Sequence, residues 1–566
     1  MSPHTGLTDV RRPVARILVP EEEINVPGPK RRPDDIDAPV GLIRFEALFV
    51  FLIGWLLFAA VGYRAVIDQH VVPADALDLM GRAFYVWHND PAKLAAIGFS
   101  APPLQTLGLM PFAIVKPLAS SLIALPVASG FWGALALVLI HRTLARCGFT
   151  LWRRVLATVL IAVNPLWLFY ASSGMPDMIY VAALAATVYF VFTWVIEDQP
   201  RFVAGVGLCL ALLSIGRFGF ILWAILLAIV VAVVLAVRKA DDDESEGLLI
   251  TLLAPTAAAI VLWIFVCWLI AGDPFGWIVD TQPFGGPSAS NATHPVELGN
   301  LLEHLGGVLI GGSLITVLAF LGLLWGAAAK RDMIAAGMAI VVIGGIAVLV
   351  GNVVIHDDMS LLSLRSVLPL TVFGIGAAAW LARSQGSLGM MMSLASLALA
   401  IPVAGIAMDR YPYQNLEQAF LRGMLQQKDQ EGTSSRGGYR VGIADSQRMA
   451  AFIKATVGDR RNTVLADNSV VGGVILMTGR PEAFVDRVDQ GDKHFLEVLD
   501  SPWGKVRYIL TTSASGSDMG SIRQRYPGII RGTVAGISPL FTSGRYTLLS
   551  VAATDPRQAA DEEQRP

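Results

Sequence analysis

The feature that most constrains this chain is a series of apolar runs of about 17 to 25 residues, too long for ordinary strands and long enough for a helix to cross a bilayer. The first is FEALFVFLIGWLLFAAVGY, Phe45 to Tyr63. Hydrocarbon offers no hydrogen-bond partner, so backbone N–H and C=O groups must pair within each run, as in a helix. Spans are expected near 43–63, 121–140, 151–171, 178–196, 202–216, 219–237, 248–271, 305–328, 333–354, 366–382 and 388–407. Of 566 residues, 54% are hydrophobic and 16% charged, against about 25% charged in soluble domains. The expectation is a polytopic α-helical membrane protein with about 11 transmembrane helices.

Charge gives the orientation. Lys30, Arg31 and Arg32, then Arg142, Arg146, Arg153 and Arg154, then Arg201, Arg238, Lys239, Lys330, Arg331 and Arg383 all fall on one side of this arrangement. The positive-inside rule makes that side cytoplasmic. The reading is a multi-pass protein of the plasma membrane with a cytoplasmic N-terminus and, after an odd number of spans, an extracytoplasmic C-terminus. One break decides the parity: Gly216, Arg217 and Gly219 interrupt an apolar stretch in LLSIGRFGFILW. A charge deep in hydrocarbon is expensive, so the break reads as an outward turn between two spans.

The net charge of -2 and the scattered basic residues provide no long basic face, which excludes nucleic acid as a partner. Cys147, Cys209 and Cys267 lie in or beside apolar runs and suggest neither a disulfide framework nor a thiolate metal site. Residues 1–42 are polar and Pro-rich and read as a disordered cytoplasmic tail. The transmembrane domain is expected over 43–408, with its first outer loop at 64–106, followed by a small α/β domain over 409–554 and a disordered tail at 555–566. In the α/β domain NTVLAD, AFVDRV, VRYILTT and RYTLLSVA read as strands, and DSQRMAAFIKATV, KHFLEVLD and SDMGSIRQRY as helices.

Three outer loops hold polar residues that membrane insertion does not require. The first carries Asp68, Asp75, Asp78, Arg82, His88 and Asp90, then IGFSAPPLQTLGLMPF, which suggests a re-entrant or interfacial segment. The second, YASSGMPDMIY, carries Asp177, and the third carries His356, Asp357, Asp358 and Arg365. Singly, each has a structural alternative: a solvated acid, a surface ion pair, or a helix cap for Asp75 and Asp177. His356, Asp357 and Asp358 lack metal-site spacing. Together they form a set of acids and arginines on one face. A carboxylate at a membrane surface can deprotonate an acceptor hydroxyl while arginines or a divalent cation neutralise a departing lipid phosphate.

The succession ADALDLMGRAFYVW, DPAKLAAIGFSAPPL, NPLWLFYASSGMPDMIYVAAL and LALLSIGRFGFILWA resembles the GT-C superfamily of integral-membrane glycosyltransferases, in particular actinobacterial members with an extracytoplasmic C-terminal domain. The resemblance covers roughly residues 40 to 410. It implies a GT-C-like transmembrane domain and transfer of a sugar from a polyprenyl-phosphate-linked donor to a cell-envelope glycan, lipid or protein. Asp75 is then the implied catalytic base, Asp177 the second catalytic acid, and Arg217 and Arg365 the contacts to lipid phosphate. Asp78, Arg82, His88, His356 and Asp358 complete the candidate substrate-binding set. The cofactor stays open, with a divalent cation such as Mg or Mn as the candidate. The first loop lacks the adjacent Asp-Asp or Asp-Glu pair of better-defined branches, and Ser366 follows Arg365 where many relatives have an aromatic. The alternatives are a transporter or lipid flippase, and a noncatalytic GT-C-like scaffold.

Overall fold

A computed structural model describes residues 40–90, 92–98, 103–216, 220–237, 241–275, 295–414, 416–434, 436, 440–487, 492–513 and 520–555. Both expected tails lie mostly or wholly outside these residues, as does Arg217. Helix α1 (Val40–Tyr63) leads through a π-turn at Arg64–Asp68 into the first loop, which holds α2 (Ala74–His88), α3 (Pro103–Ala113) and α4 (Lys116–Ser120). The bundle continues with α5 (Ala124–Arg146), α6 (Leu151–Ala162), α7 (Pro165–Ser172), α8 (Asp177–Glu197), α9 (Pro200–Gly216), α10 (Phe220–Val237) and α11 (Asp242–Ala271). Then come α12 (Leu298–Lys330), α13 (Met333–His356), α14 (Leu368–Gln385) and α15 (Ser387–Arg410).

Each expected span overlaps a helix for most of its length among the described residues, but the count differs. Among the described residues seven helices are long and apolar enough to cross a membrane alone, and the bent pair α6–α7 raises this to eight. The run at 151–171 is not one straight span. Pro165 cannot donate a backbone hydrogen bond, and the Asn164 side chain instead accepts from the N–H groups of Leu166 and Trp167. A new helix therefore starts there, bent by 69° from the one before. Helices α9 and α10 are apolar but shorter. The protein is a multi-pass membrane protein.

Helices α5 and α8 form the buried centre, whereas α11 leaves Val261, Leu262, Phe265 and Trp268 on its outer face. That is the pattern expected where lipid, not water, surrounds an apolar helix. At the end of α1 the backbones come close: a Cβ on Gly62 would lie 2.1 Å from the Ser172 carbonyl oxygen. One end of the bundle is basic. There Arg146 pairs with Glu197, Arg383 donates to the Arg146 carbonyl at 3.2 Å, and Glu46 accepts from Arg154 and His141 at 2.7 Å each.

Beyond α15 lie α16 (Glu417–Gln426) and α17 (Ala444–Val457), then β1 (Val464–Asp467), α18 (Asn468–Thr478), β2 (Phe484–Arg487), α19 (Lys493–Asp500), β3 (Tyr508–Thr512), α20 (Gly520–Arg525), β4 (Ile537–Ser543) and β5 (Tyr546–Val551). The sheet order is β2-β1-β3-β5-β4, with β1 parallel to β2 and β3, and the last two strands antiparallel. Every residue of β1 is buried, as expected of a parallel strand covered on both faces. Asp467, at the end of β1, caps α18 and also accepts from Ser469 and Ser521 hydroxyls at 2.7 and 2.5 Å.

This domain grips the first loop. Tyr85 of α2 donates to the Gly472 carbonyl of α18 at 3.0 Å. Where α2 ends, Asn89 donates to both oxygens of buried Asp486 at 3.1 and 3.0 Å. Lys93 reaches Asp486 at 3.0 Å and Asp492 at 2.6 Å. Burial alone would lower the Lys93 pKa, but the Asp486 and Asp492 carboxylates hold it above the usual lysine range. Lys116 with Glu482 and Asp90 with Arg461 add pairs at 3.2 and 2.5 Å.

Asp486→Ala leaves Lys93 its Asp492 partner but strips Asn89 of a buried acceptor. It is expected to cost about 1 to 3 kcal/mol, read by thermal or denaturant unfolding of the purified protein; an unchanged midpoint would show that the domains do not depend on this contact. Asp467 gives a pH test. Burial alone would raise its pKa, but hydrogen bonds from Ser521 and Ser469 and the charge of Arg487 lower it. A folded pKa below the unfolded value of about 4 means stabilisation that is complete above that value and lost as pH falls through the folded one. Melting curves of Asp467→Asn should therefore fall less steeply below about pH 4 than those of the parent; parallel curves would remove Asp467 from acid unfolding.

Candidate functional site

Two helix starts and one loop converge at the end of the bundle away from the basic cluster. Asp75 is the second residue of α2, after Pro73 at its N-cap, and Asp177 is the first residue of α8, after Pro176. Neither occupies the N-cap position itself. In the first turn of a helix, each carboxylate is favoured by the local dipole. Between α13 and α14, the turn at Ser363–Leu368 carries Arg365.

The Arg365 guanidinium joins the two acids. Its Nε donates to Asp177 Oδ1 at 2.7 Å and its Nη1 to Asp75 Oδ2 at 2.5 Å. The side chains of Arg365 and Asp75 are 10% and 13% exposed, and that of Asp177 is 0% exposed. Burial by itself disfavours the guanidinium charge, but the Asp177 and Asp75 carboxylates outweigh it and hold Arg365 protonated, above the usual arginine range. Tyr180, one helical turn along α8, donates to Asp177 Oδ1 as well. Asp177 Oδ2 is buried and has no hydrogen-bond partner among the described residues.

A second buried acid adjoins this group. Glu417, at the start of α16 and fully buried, accepts from Tyr170 at 2.6 Å, and Tyr170 lies within electrostatic reach of Asp177 and Arg365. Sequence reading did not single out Glu417, Tyr170 or Tyr180. The i, i+3 spacing of Asp177 and Tyr180 was the only local signal, since Glu417 arrives from another part of the chain.

The remaining candidates are placed elsewhere or engaged locally. Asp78 pairs with Arg82 at 2.9 Å, one turn apart on α2. His88 meets the Ala113 carbonyl at 3.0 Å and packs against Phe84, bracing α2 against α3. His356 contacts the Asn352 carbonyl of its own helix at 2.9 Å, and Asp358 accepts from the N–H and hydroxyl of Ser360 at 2.9 and 2.8 Å. Arg217 lies outside the described residues.

A divalent cation does not fit the pair as it stands. Arg365 occupies an oxygen of each carboxylate, and among the described residues no three His, Cys, Asp or Glu side chains are grouped to hold a metal ion. What the arrangement offers is a protein cation with two carboxylates, one near the surface and one buried. Such a guanidinium can bind phosphate bidentately, and a carboxylate released from it can take a proton.

No protein-family model matches the chain, and no curated protein matches it in sequence. Similarity appears in structure. ArnT from Cupriavidus metallidurans in the apo state is 13% identical, with a TM-score of 0.55 over 91% of this chain and 98% of that one. ArnT bound to undecaprenyl phosphate gives a TM-score of 0.53 at the same identity and coverage. An apo oligosaccharyltransferase from Archaeoglobus fulgidus gives 0.45 at 12% identity, over 83% of this chain and 70% of that one. Spanning both the helical bundle and the C-terminal sheet domain, the likeness to ArnT shows that this chain shares its fold.

Proposed function

We propose that the protein transfers a sugar from a polyprenyl-phosphate-linked donor to a cell-envelope acceptor on the outer face of the membrane. The observation that carries this reading is the convergence of Asp75, Arg365 and Asp177 at the bundle end covered by the C-terminal domain. The 21 residues of α8 run from Asp177 to Glu197, a helix about 30 Å long and equal to the hydrocarbon thickness. That length supports a site at one membrane face and a basic cluster at the other. That one of the similar ArnT structures holds undecaprenyl phosphate supports a lipid-phosphate donor.

In this reading Asp75 takes the proton of the acceptor hydroxyl as its oxygen attacks the anomeric carbon. The bond from that carbon to the phosphate oxygen breaks, and its electron pair leaves with polyprenyl phosphate, whose charge Arg365 neutralises. Asp177 holds Arg365 in place. The position of both acids in first turns at a bundle end favours this over transport, which typically uses ionisable groups at broken helices near the membrane midplane. The C-terminal domain positions the first loop or an acceptor without chemistry of its own.

Asp75→Asn keeps the shape of the side chain but cannot act as the base. It is expected to lower transfer by about a hundredfold to ten-thousandfold with a folded protein, and transfer at the parent rate would remove Asp75 from the chemistry. Orientation has its own test. Cysteine at Asp459, in the C-terminal domain, should react with an impermeant thiol reagent in intact cells, and cysteine at Asp243, before α11, only after permeabilisation; the opposite pattern would invert the topology.

A further inference from the structure

We propose that α3 and the turn after it lie in the lipid of the leaflet at the site end of the bundle, as a lip beside α2 that faces acyl chains rather than water. This goes beyond the transfer reading and does not depend on it.

Neighbouring helices of the first loop have opposite polarity. In α2 the apolar side chains Ala76, Leu79, Met80, Ala83 and Phe84 are buried, while the charged pair of Asp78 and Arg82 reaches the surface. That is a helix with its polar face in water. In α3 the order is reversed. Gln105 and Thr106 are 1% and 0% exposed, whereas Leu107 is 41% exposed and Ile114, just past the helix, 51%. Leu107 and exposed Pro111, four apart, share one side of α3, and Val115 is exposed beside Ile114. From Leu94 to Val115 no residue is charged. Polar side chains inside and apolar ones outside are what hydrocarbon selects, because a polar group facing lipid is costly.

Contacts set the depth. A Cβ on Gly108 of α3 would lie 2.5 Å from Ile179 Cδ1, in the first turn of α8, and one on Gly216, at the end of α9, 2.6 Å from Leu104 Cδ2. Helix α3 therefore packs on the ends of two apolar helices, at the edge of the hydrocarbon that the length of α8 matches. The exposed apolar side of α9 leads to it: Leu208 and Leu212 are exposed, and at Gly216, four residues on, Leu104 of α3 covers the helix. Where α2 meets α3 stands exposed Trp87, whose indole N–H donates to the Met110 carbonyl at 3.0 Å. Tryptophan is enriched where hydrocarbon meets water. An uncharged surface continuous with the apolar wall of the bundle fits acyl chains, not a soluble partner.

The test places a bimane on full-length Leu107→Cys and Ile114→Cys protein in phosphatidylcholine liposomes. Leu262→Cys, on the outer face of α11, is the lipid control, and exposed Asp459→Cys the water control. The parent, whose three cysteines are buried, gives the labelling blank. Phosphatidylcholine brominated on its acyl chains should quench the labels at 107 and 114 to within about twofold of the label at 262, as shared contact with hydrocarbon requires. Aqueous iodide should quench the label at 459 and spare them. Iodide quenching at 107 and 114 equal to that at 459 puts α3 in water and overturns the proposal. Protection from both quenchers overturns it too, since it shows the face covered by protein, from a second copy or a partner.

Discussion

The site depends on one buried guanidinium. Arg365 joins two acids 290 and 188 positions away in the chain. Two carboxylates brought this close repel unless a cation lies between them. A guanidinium suits the task because its fork serves two partners at once and keeps its charge when buried. The cation is thus supplied by the loop between α13 and α14, and the packing of that loop against the start of α8 is what creates the site. Remove it, and Asp75 and Asp177 would lose the cation that joins them.

The second dependence is mechanical. Helix α2 is held at its start by Arg365 and at its end by Asp486, with Tyr85 bonded to the domain between them. A helix fixed at both ends keeps a side chain in place better than a free loop does, which matters when an ångström of displacement lowers a rate by orders of magnitude. The C-terminal domain contributes to the site in this indirect way. Its Asp486 stands at the carboxyl end of β2, where open α/β sheets commonly receive ligands, and here that position receives Asn89 and Lys93 of the membrane domain.

Much of this was legible in the sequence, for a physical reason. Apolar runs announce helices because the bilayer permits little else, and the residues such runs do not need stand out in the loops between them. Asp75, Asp177 and Arg365 were found in that way. What the loops did not reveal was pairing. Asp78 and Arg82 read as site residues yet satisfy each other, and His88 turned out to brace α2 against α3. In the C-terminal domain β4 escaped notice because Pro539 interrupts its pattern, which an edge strand tolerates at the irregularity found there. Helix α18 escaped because NSVVGGVILMT has two glycines and five β-branched residues, poor helix formers that packing against α2 nevertheless holds helical.

Glu417 shows where local reading ends. An acid alone at the start of a short amphipathic helix looks like an ordinary N-terminal charge, stabilised by the helix dipole and facing water. Its burial against Tyr170 follows only from the return of the chain, after α15, to the end of the bundle from which α8 starts. That return also brings α16 beside the site before the chain enters the C-terminal domain. The connection between domains is therefore part of the wall of the site. A shift of the C-terminal domain that moved α16 would disturb the Glu417–Tyr170 hydrogen bond, so the membrane and C-terminal domains meet there as well as along α2.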